Sequence, residues 1–215
     1  MAQHHQVRVF QRNLASPPEV NVAGLILSGG ESRRMGTAKA LLTFSGETFL
    51  DRLIRIFKEN CNSVTVVLGH DHTIQHRILR AGEATFVANP EYKRGQLSSL
   101  QCGLKSIPAD ADFVLFTPVD YPAIEPSTVQ AMLDQAPGSL LVIPRLDERH
   151  GHPVLFAASL IDDFLSLPSD GEARTVIRRN IARTTYVDVK DPGILRDVDD
   201  PEAYAELLKA TRTPK

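Results

Sequence analysis

The chain has 215 residues, 42% of them hydrophobic and 23% charged, with 26 acidic residues against 24 Lys and Arg for a formal net charge of −2. Such a chain is apolar enough to bury a core, and it lacks the bulk basic field of a nucleic-acid binder. With 13 Gly, 14 Pro and 2 Cys it is neither collagen-like nor low-complexity, and it has no multi-bridge disulfide framework.

Residues 1–20 read as a flexible leader ending at Pro17-Pro18, with Arg8 and Arg12 against Glu19 a faint organelle-targeting pattern. No signal-peptide core is visible there. Residues 21–210 read as one domain and 211–215 as a tail. No apolar run reaches the roughly 18 residues of a membrane span, so no membrane and no nucleic acid are expected as partners, and a reducing cytoplasm is the expected compartment.

Val22 to Leu27 is the first predicted strand, followed by a polar, glycine-containing loop from Ser28 to Lys39. Leu50, Leu53, Ile54 and Phe57 recur at helical spacing, and the β-branched run Val64 to Leu68 predicts a strand covered on both faces. A helix over Thr73 to Arg80 and a short strand over Thr85 to Ala88 come next. Gln96 to Ile107 predicts a helix stopped by Pro108, Phe113 to Phe116 a buried strand ending at Thr117-Pro118-Val119-Asp120, and Pro126 the first turn of a helix. Strands at Leu140 to Ile143 and Val154 to Phe156 precede helical segments near Ala158 to Leu165 and Ala173 to Asn180. A strand at Thr184 to Val189 and a helix from Pro201 to Leu208 close the chain.

Strands alternating with helices define an α/β class with a mostly parallel sheet, mixed in its second half where strands crowd together. Ligands of such sheets sit beyond the carboxyl ends of the strands. Two chemically loaded segments lie at such ends: Ser28 to Lys39, and Asp120. In the first, glycines free backbone N–H groups to face an anion, and Arg33, Arg34 and Lys39 add positive charge, which suits a polyphosphate. The loop is not a P-loop, because Lys39 does not follow Gly36 directly. It is not the dinucleotide fingerprint either, because no two glycines have the G-x-G spacing. His72 and His76 stand four apart, as metal ligands on a helix can, but with no Glu after His72 and no nearby Cys they read as an exposed face. Cys61 and Cys102 read as buried, inert thiols.

The loop resembles the L-x-x-G-x-S-x-R-M-G-x-x-K signature of the MobA-like NTP transferases that act on molybdopterin. Leu27, Gly30, Ser32, Arg34, Met35, Gly36 and Lys39 match it position by position. Asn89-Pro90-Glu91-Tyr92-Lys93-Arg94-Gly95 with Ser99 resembles the family's N-x-x-[aromatic]-x-x-G segment, and Pro118-Val119-Asp120-Tyr121-Pro122 its acidic turn. Gly151-His152-Pro153-Val154 is similar to the loop of the molybdenum cofactor cytidylyltransferases. Asp170-Gly171-Glu172-Ala173-Arg174 resembles their G-D-x-G-A-R stretch, with Ser169 and Glu172 in place of two glycines. Asp197-Val198-Asp199-Asp200-Pro201-Glu202 resembles D-I-D-T-P-E.

The resemblance implies a Rossmann-like nucleotidyltransferase fold, a three-layer α/β/α arrangement, and nucleotidyl transfer to the phosphate of molybdopterin with release of pyrophosphate. It implies Lys39 and Arg34 as catalytic cations, and Leu27, Ser28, Gly29, Gly30, Ser32 and Gly36 as the nucleotide loop. Mg²⁺ is the implied counter-charge, held by Asp120 and Asp199, with Asp197 as a further candidate. Asn89, Gly95 and Ser99 are read either as lining the base or substrate pocket or as packing. His152 and Arg174 are candidates for the molybdopterin side, His152 equally as a packed loop histidine. Ser28-Gly29-Gly30 is closer to the guanylyl form of the loop and the Gly151 to Val154 segment to the cytidylyl form, so CTP is expected modestly ahead of GTP. The alternatives are a sugar-phosphate nucleotidylyltransferase and a non-catalytic nucleotide-binding or cofactor-delivery module. A molybdoenzyme or its chaperone is the implied protein partner.

Overall fold

The computed structural model describes residues 20–210 apart from 31, 33 and 169. The expectations for the leader, the tail, Arg33 and Ser169 therefore lie outside the described residues. In chain order the strands are β1 (Val22–Ser28), β2 (Thr43–Phe44), β3 (Glu47–Thr48), β4 (Ser63–Leu68), β5 (Thr85–Ala88), β6 (Phe113–Pro118), β7 (Leu141–Leu146), β8 (Arg149–His150), β9 (Val154–Ala157) and β10 (Thr184–Asp188). The α-helices are α1 (Phe49–Lys58), α2 (Gln96–Leu104), α3 (Pro126–Leu133), α4 (Ile161–Leu165), α5 (Arg174–Arg179) and α6 (Pro201–Ala210).

The main sheet has the order β10-β7-β9-β6-β1-β4-β5, with β8 attached to β7. Pairings of β1 with β4 and β6, of β4 with β5, and of β10 with β7 are parallel, whereas β9 runs antiparallel to both β6 and β7. The sheet is thus mostly parallel and mixed in its second half. Every residue of β1 is buried, because this central strand is covered on both faces. On one face α1, α3 and α6 bring Phe49, Leu53, Ile54, Val129, Met132 and Leu207 to one core. On the other, α2, α4 and α5 bring Leu97, Leu100, Phe164 and Val176 to a second. These two cores make the three-layer α/β/α arrangement.

Helix α1 forms as its apolar spacing dictates and starts where Thr48 Oγ1 accepts the Asp51 N–H at 3.0 Å. The predicted helix over Thr73 to Arg80 is corrected to two 3-10 turns, His72–Arg77 and Ala81–Glu83. Asp71 caps the first turn through Thr73 N at 2.9 Å, but only Ile74 of that turn is buried, and Ile78 adopts extended backbone. Leu79 is 95% exposed, so no apolar helical face exists to be packed. The predicted helix from Gln96 ends at Leu104 and short of Ile107, and the small β2–β3 hairpin had no clear sequence signal.

After β1 and α1 the chain moves to one side of the central strand, onto β4 and β5, then crosses to β6 on the other side. The carboxyl ends of β1 and β6 therefore flank the point where strand order reverses, the place where open α/β sheets bind ligands. Among the described residues no helix is long and apolar enough to cross a membrane.

Candidate nucleotide and metal site

A cavity of about 480 Å³ opens at that point. The loop after β1 supplies Leu27, Ser28, Gly29, Gly30, Ser32, Arg34, Ala38, Lys39 and Ala40. The opposite wall has Ile74, Tyr92, Gly95, Gln96 and Ser99, and the β6 end adds Pro118, Val119 and Asp120, with Asp199 from the far end of the chain.

The loop is held by its own polar groups. Ser32 takes a left-handed φ of 51°, its carbonyl accepts from Met35 N at 2.9 Å, and its Oγ accepts the Lys39 N–H at 3.1 Å. Met35 packs against the first core, so the loop between is tied down on both sides of Arg34. Gly29 passes so close to α2 that a Cβ there would sit 2.6 Å from Ser99 Oγ. Asn89 is buried behind this wall: its Nδ2 donates to Ser98 Oγ at 3.0 Å and to Ser99 Oγ at 3.1 Å. It fixes the Ser99 hydroxyl without lining the cavity. Gly36, with φ 66°, forms an exposed turn outside the lining.

Across the cavity, Lys39 Nζ donates to Asp199 Oδ1 at 2.5 Å and lies 3.5 Å from Asp120 Oδ2. Arg34 adds a looser contact with Asp199 Oδ2 at 3.8 Å. The two carboxylates differ in surroundings: the Asp120 side chain is 24% exposed, that of Asp199 45%. Burial holds the Asp120 carboxyl above the usual range, against the pull of Lys39 and with a push from Asp199, whereas the Lys39 hydrogen bond holds Asp199 below it.

Asp120 Oδ1 is buried with no hydrogen-bond partner. A buried carboxylate oxygen without a donor, beside a second carboxylate, could serve a divalent cation that completes its shell with substrate oxygens. Among the described residues no group of three or more His, Cys, Asp or Glu could hold a metal ion alone, so phosphate oxygens would have to supply part of the shell. His72 and His76 are exposed on the 3-10 turn. Asp197 is also exposed, and its charge reaches Asp120 and Tyr121.

His152 and Arg174 do not line the cavity. They belong to a neighbouring cluster just past Asp120. The His152 ring lies 4.5 Å from that of Tyr121 and 5.5 Å from that of Phe116 (centroid to centroid), and its Nδ1 is buried without a partner. Burial and the nearby Arg174 push His152 down to about 4, although a hydrogen bond with the Phe116 backbone opposes this. Burial and the charges of Asp197, Asp120 and Asp199 push Tyr121 up to about 12, with Arg174 opposing. Arg174 is exposed and is linked to both rings by its charge.

Tyr121, Tyr92, Gln96 and Ile74 were not singled out in the sequence. Tyr121 had a signal, its place between Asp120 and Pro122. Tyr92 occupies the aromatic position of the Asn89 segment, and its hydroxyl meets His70 Nδ1 at 3.1 Å. Cys61 is buried and its thiol pushed up to about 12, but Cys102 is only half-buried, contrary to expectation.

A doubly wound, mostly parallel sheet with a glycine and lysine loop facing two carboxylates at its switch point is a Rossmann-like nucleotidyltransferase fold. The model of the MobA-like NTP transferase domain matches residues 24–184, and the chain belongs to that family. It is 27% identical over 139 residues, 64% of this chain and 68% of the relative, to a Bacillus cytotoxicus protein named "Probable molybdenum cofactor guanylyltransferase". It is 35% identical over 116 residues, 54% of this chain and 59% of the relative, to a protein of the same name from Synechococcus elongatus. The structure of a nucleotidyl transferase from Methanothermobacter shares the fold with a TM-score of 0.76 at 21% identity, covering 88% of this chain and 97% of that one.

Proposed function

We propose that the chain transfers a nucleoside monophosphate from a nucleoside triphosphate to the terminal phosphate of a molybdopterin-type acceptor, with Asp120 and Asp199 seating Mg²⁺. The observation that carries this reading is the Lys39 ammonium set between two carboxylates, one of them with a buried unpartnered oxygen, at the mouth of a glycine loop. Names of relatives support the acceptor.

In the reaction an acceptor phosphate oxygen bonds to the α-phosphorus, the α–β P–O bond breaks, and pyrophosphate leaves. Mg²⁺, when bound, neutralises phosphate charge and makes the α-phosphorus more electrophilic. The loop amides of Gly29 and Gly30 cradle the phosphates. Lys39 and Arg34 stabilise the charge that grows on the leaving pyrophosphate, through contacts strongest in the transition state. Tyr92, Gln96 and Ser99 wall the base, and His152 and Arg174, with Tyr121, receive the acceptor. No side-chain nucleophile is needed, since the work is alignment and neutralisation.

Two observations support GTP over the CTP expected from the Gly151 to Val154 segment. The relatives are named guanylyltransferases, and position 29 carries the glycine of the guanylyl form. We therefore take GTP as the first donor and CTP as its rival. Mass analysis of the product formed from molybdopterin, Mg²⁺ and an equimolar mixture of GTP and CTP tests this. A guanylylated product supports the assignment, a cytidylylated one reverses the base, and no nucleotidylated pterin sinks the acceptor.

A further inference from the structure

We propose that Asp191 is a positioning residue that holds the two carboxylate-bearing turns in register, an inference that rests on the reading of Asp120 and Asp199 as a metal seat. Asp191 is 5% exposed and lies outside the cavity, and its two carboxylate oxygens accept from two different segments. Its Oδ1 accepts the Gly193 N–H at 2.7 Å, which fixes the start of the segment leading to Asp199. Its Oδ2 accepts from Glu125 N at 2.9 Å and from Thr128 Oγ1 at 2.8 Å, at the N-terminus of α3 that follows the Asp120 turn. Glu125, at the cap position of α3, makes no side-chain capping bond of its own; the distant Asp191 carboxylate instead accepts the cap residue's own N–H and the Thr128 hydroxyl in the first turn.

The same stretch is braced from the other side and along its length. Arg52 of α1 donates from Nε to Pro122 O at 2.7 Å and from its guanidinium to Ile124 O at 3.4 Å. Gly193 is pressed against the turn so closely that a Cβ would lie 2.1 Å from Ala123 O. Val198 N then donates to Asp120 O at 2.8 Å, which sets Asp199 beside Asp120. Asp191 thus accepts from both segments, away from the cavity where Lys39 meets the two carboxylates themselves. Its partners are neutral donors, two of them backbone N–H groups, whose directions an amide side chain cannot all satisfy because its NH₂ end donates.

The test compares Asp191→Asn with Val176→Ala, a truncation in the opposite core, each read by Tm, by Mn²⁺ binding (electron paramagnetic resonance, saturating GTP or CTP), and by amide exchange at Val198. Asp191→Asn is expected to weaken Mn²⁺ at least about tenfold and to lose protection at Val198. Val176→Ala with a similar drop in Tm should keep both. Thr128→Val, which removes one contact and leaves the carboxylate, should shift Mn²⁺ affinity in the same direction by less, and it serves if Asp191→Asn does not fold. Unchanged Mn²⁺ affinity and Val198 exchange in a destabilised Asp191→Asn would make Asp191 a structural cap only and overturn the proposal. Failure of the unmutated protein to bind Mn²⁺ at all would overturn the carboxylate reading itself, and this inference with it.

Discussion

Lys39 and Asp199, 160 positions apart in the chain, share a 2.5 Å hydrogen bond across the mouth of the cavity. The bond joins the first strand's loop to the end of the fold and keeps a cation where phosphate charge is expected. Replacing Lys39 with Ala should lower turnover by about 10²- to 10³-fold, the scale of losing one preorganised electrostatic contact. The Lys39 side chain is 14% exposed and is the cation beside the buried Asp120, so Tm should fall as well. Steady-state pyrophosphate release and a thermal melt check the pair of outcomes; turnover near the unmutated level would remove Lys39 from the reaction.

Asp120 and Asp199 should separate stability from activity. Burial, the largest cause, favours the neutral form of Asp120, so its ionisation opposes folding as pH rises from its unfolded pKa to its raised folded one. Asp120→Asn should therefore keep or raise Tm at neutral pH while turnover falls at least about 10²-fold. Asp199, lowered by Lys39, behaves oppositely: its contribution is present above its unfolded pKa and is lost as pH falls through the lowered folded one. A cation needs Asp120 ionised, so Mg²⁺ activation should weaken on acidification, and proton release on binding should grow as pH falls toward the raised pKa. Calorimetry in buffers of different ionisation enthalpy measures that proton.

His152 gives a second pH signature, on stability. Its ring is held neutral down to about 4 against a usual 6.5. Between those values the unfolded chain binds the extra proton, so stability is lost as pH falls through that window. His152→Gln should flatten this part of the Tm against pH curve. It should also raise the KM for the pterin acceptor more than that for the triphosphate. An equal rise in both would place His152 in packing alone.

Gly29 and Ser99 should behave as a pair. A Cβ at position 29 would meet Ser99 Oγ at 2.6 Å, whereas Ser99 Cβ lies 3.5 Å away. Gly29→Ala should cost about 1–3 kcal/mol by overpacking, and Ser99→Ala should relieve most of it in the double variant. With the fold restored, the double variant tests whether this position selects the base. The guanylyl assignment predicts a shift from GTP toward CTP in relative kcat/KM, and an unchanged ratio would locate base selection elsewhere.

The parts legible in the sequence were those set by local rules. The loop from Ser28 to Lys39 announced itself because glycines and cations coincide at a strand end, and α1 because Leu50, Leu53, Ile54 and Phe57 keep a helical period. The stretch after β4 misled because Ile74, Ile78 and Leu79 look helical in spacing, while the fold buries the first two without an α-helix and leaves Leu79 in water. The roles of Tyr121 and Asp191 were not legible for another reason. The role of Tyr121 depends on His152 and Arg174, and that of Asp191 on Glu125 and Thr128, none of them a sequence neighbour.

Pyrophosphate release reports metal-dependent nucleotidyl transfer to a pterin phosphate. The protein is incubated with Mg²⁺ and each of the four nucleoside triphosphates in turn, with and without molybdopterin. Release is expected to need both Mg²⁺ and molybdopterin, to be fastest with GTP, and to be lost in Lys39→Ala and Asp120→Asn. Absence of release with every triphosphate, in protein that binds nucleotide, would contradict nucleotidyl transfer and leave a nucleotide-binding module in its place.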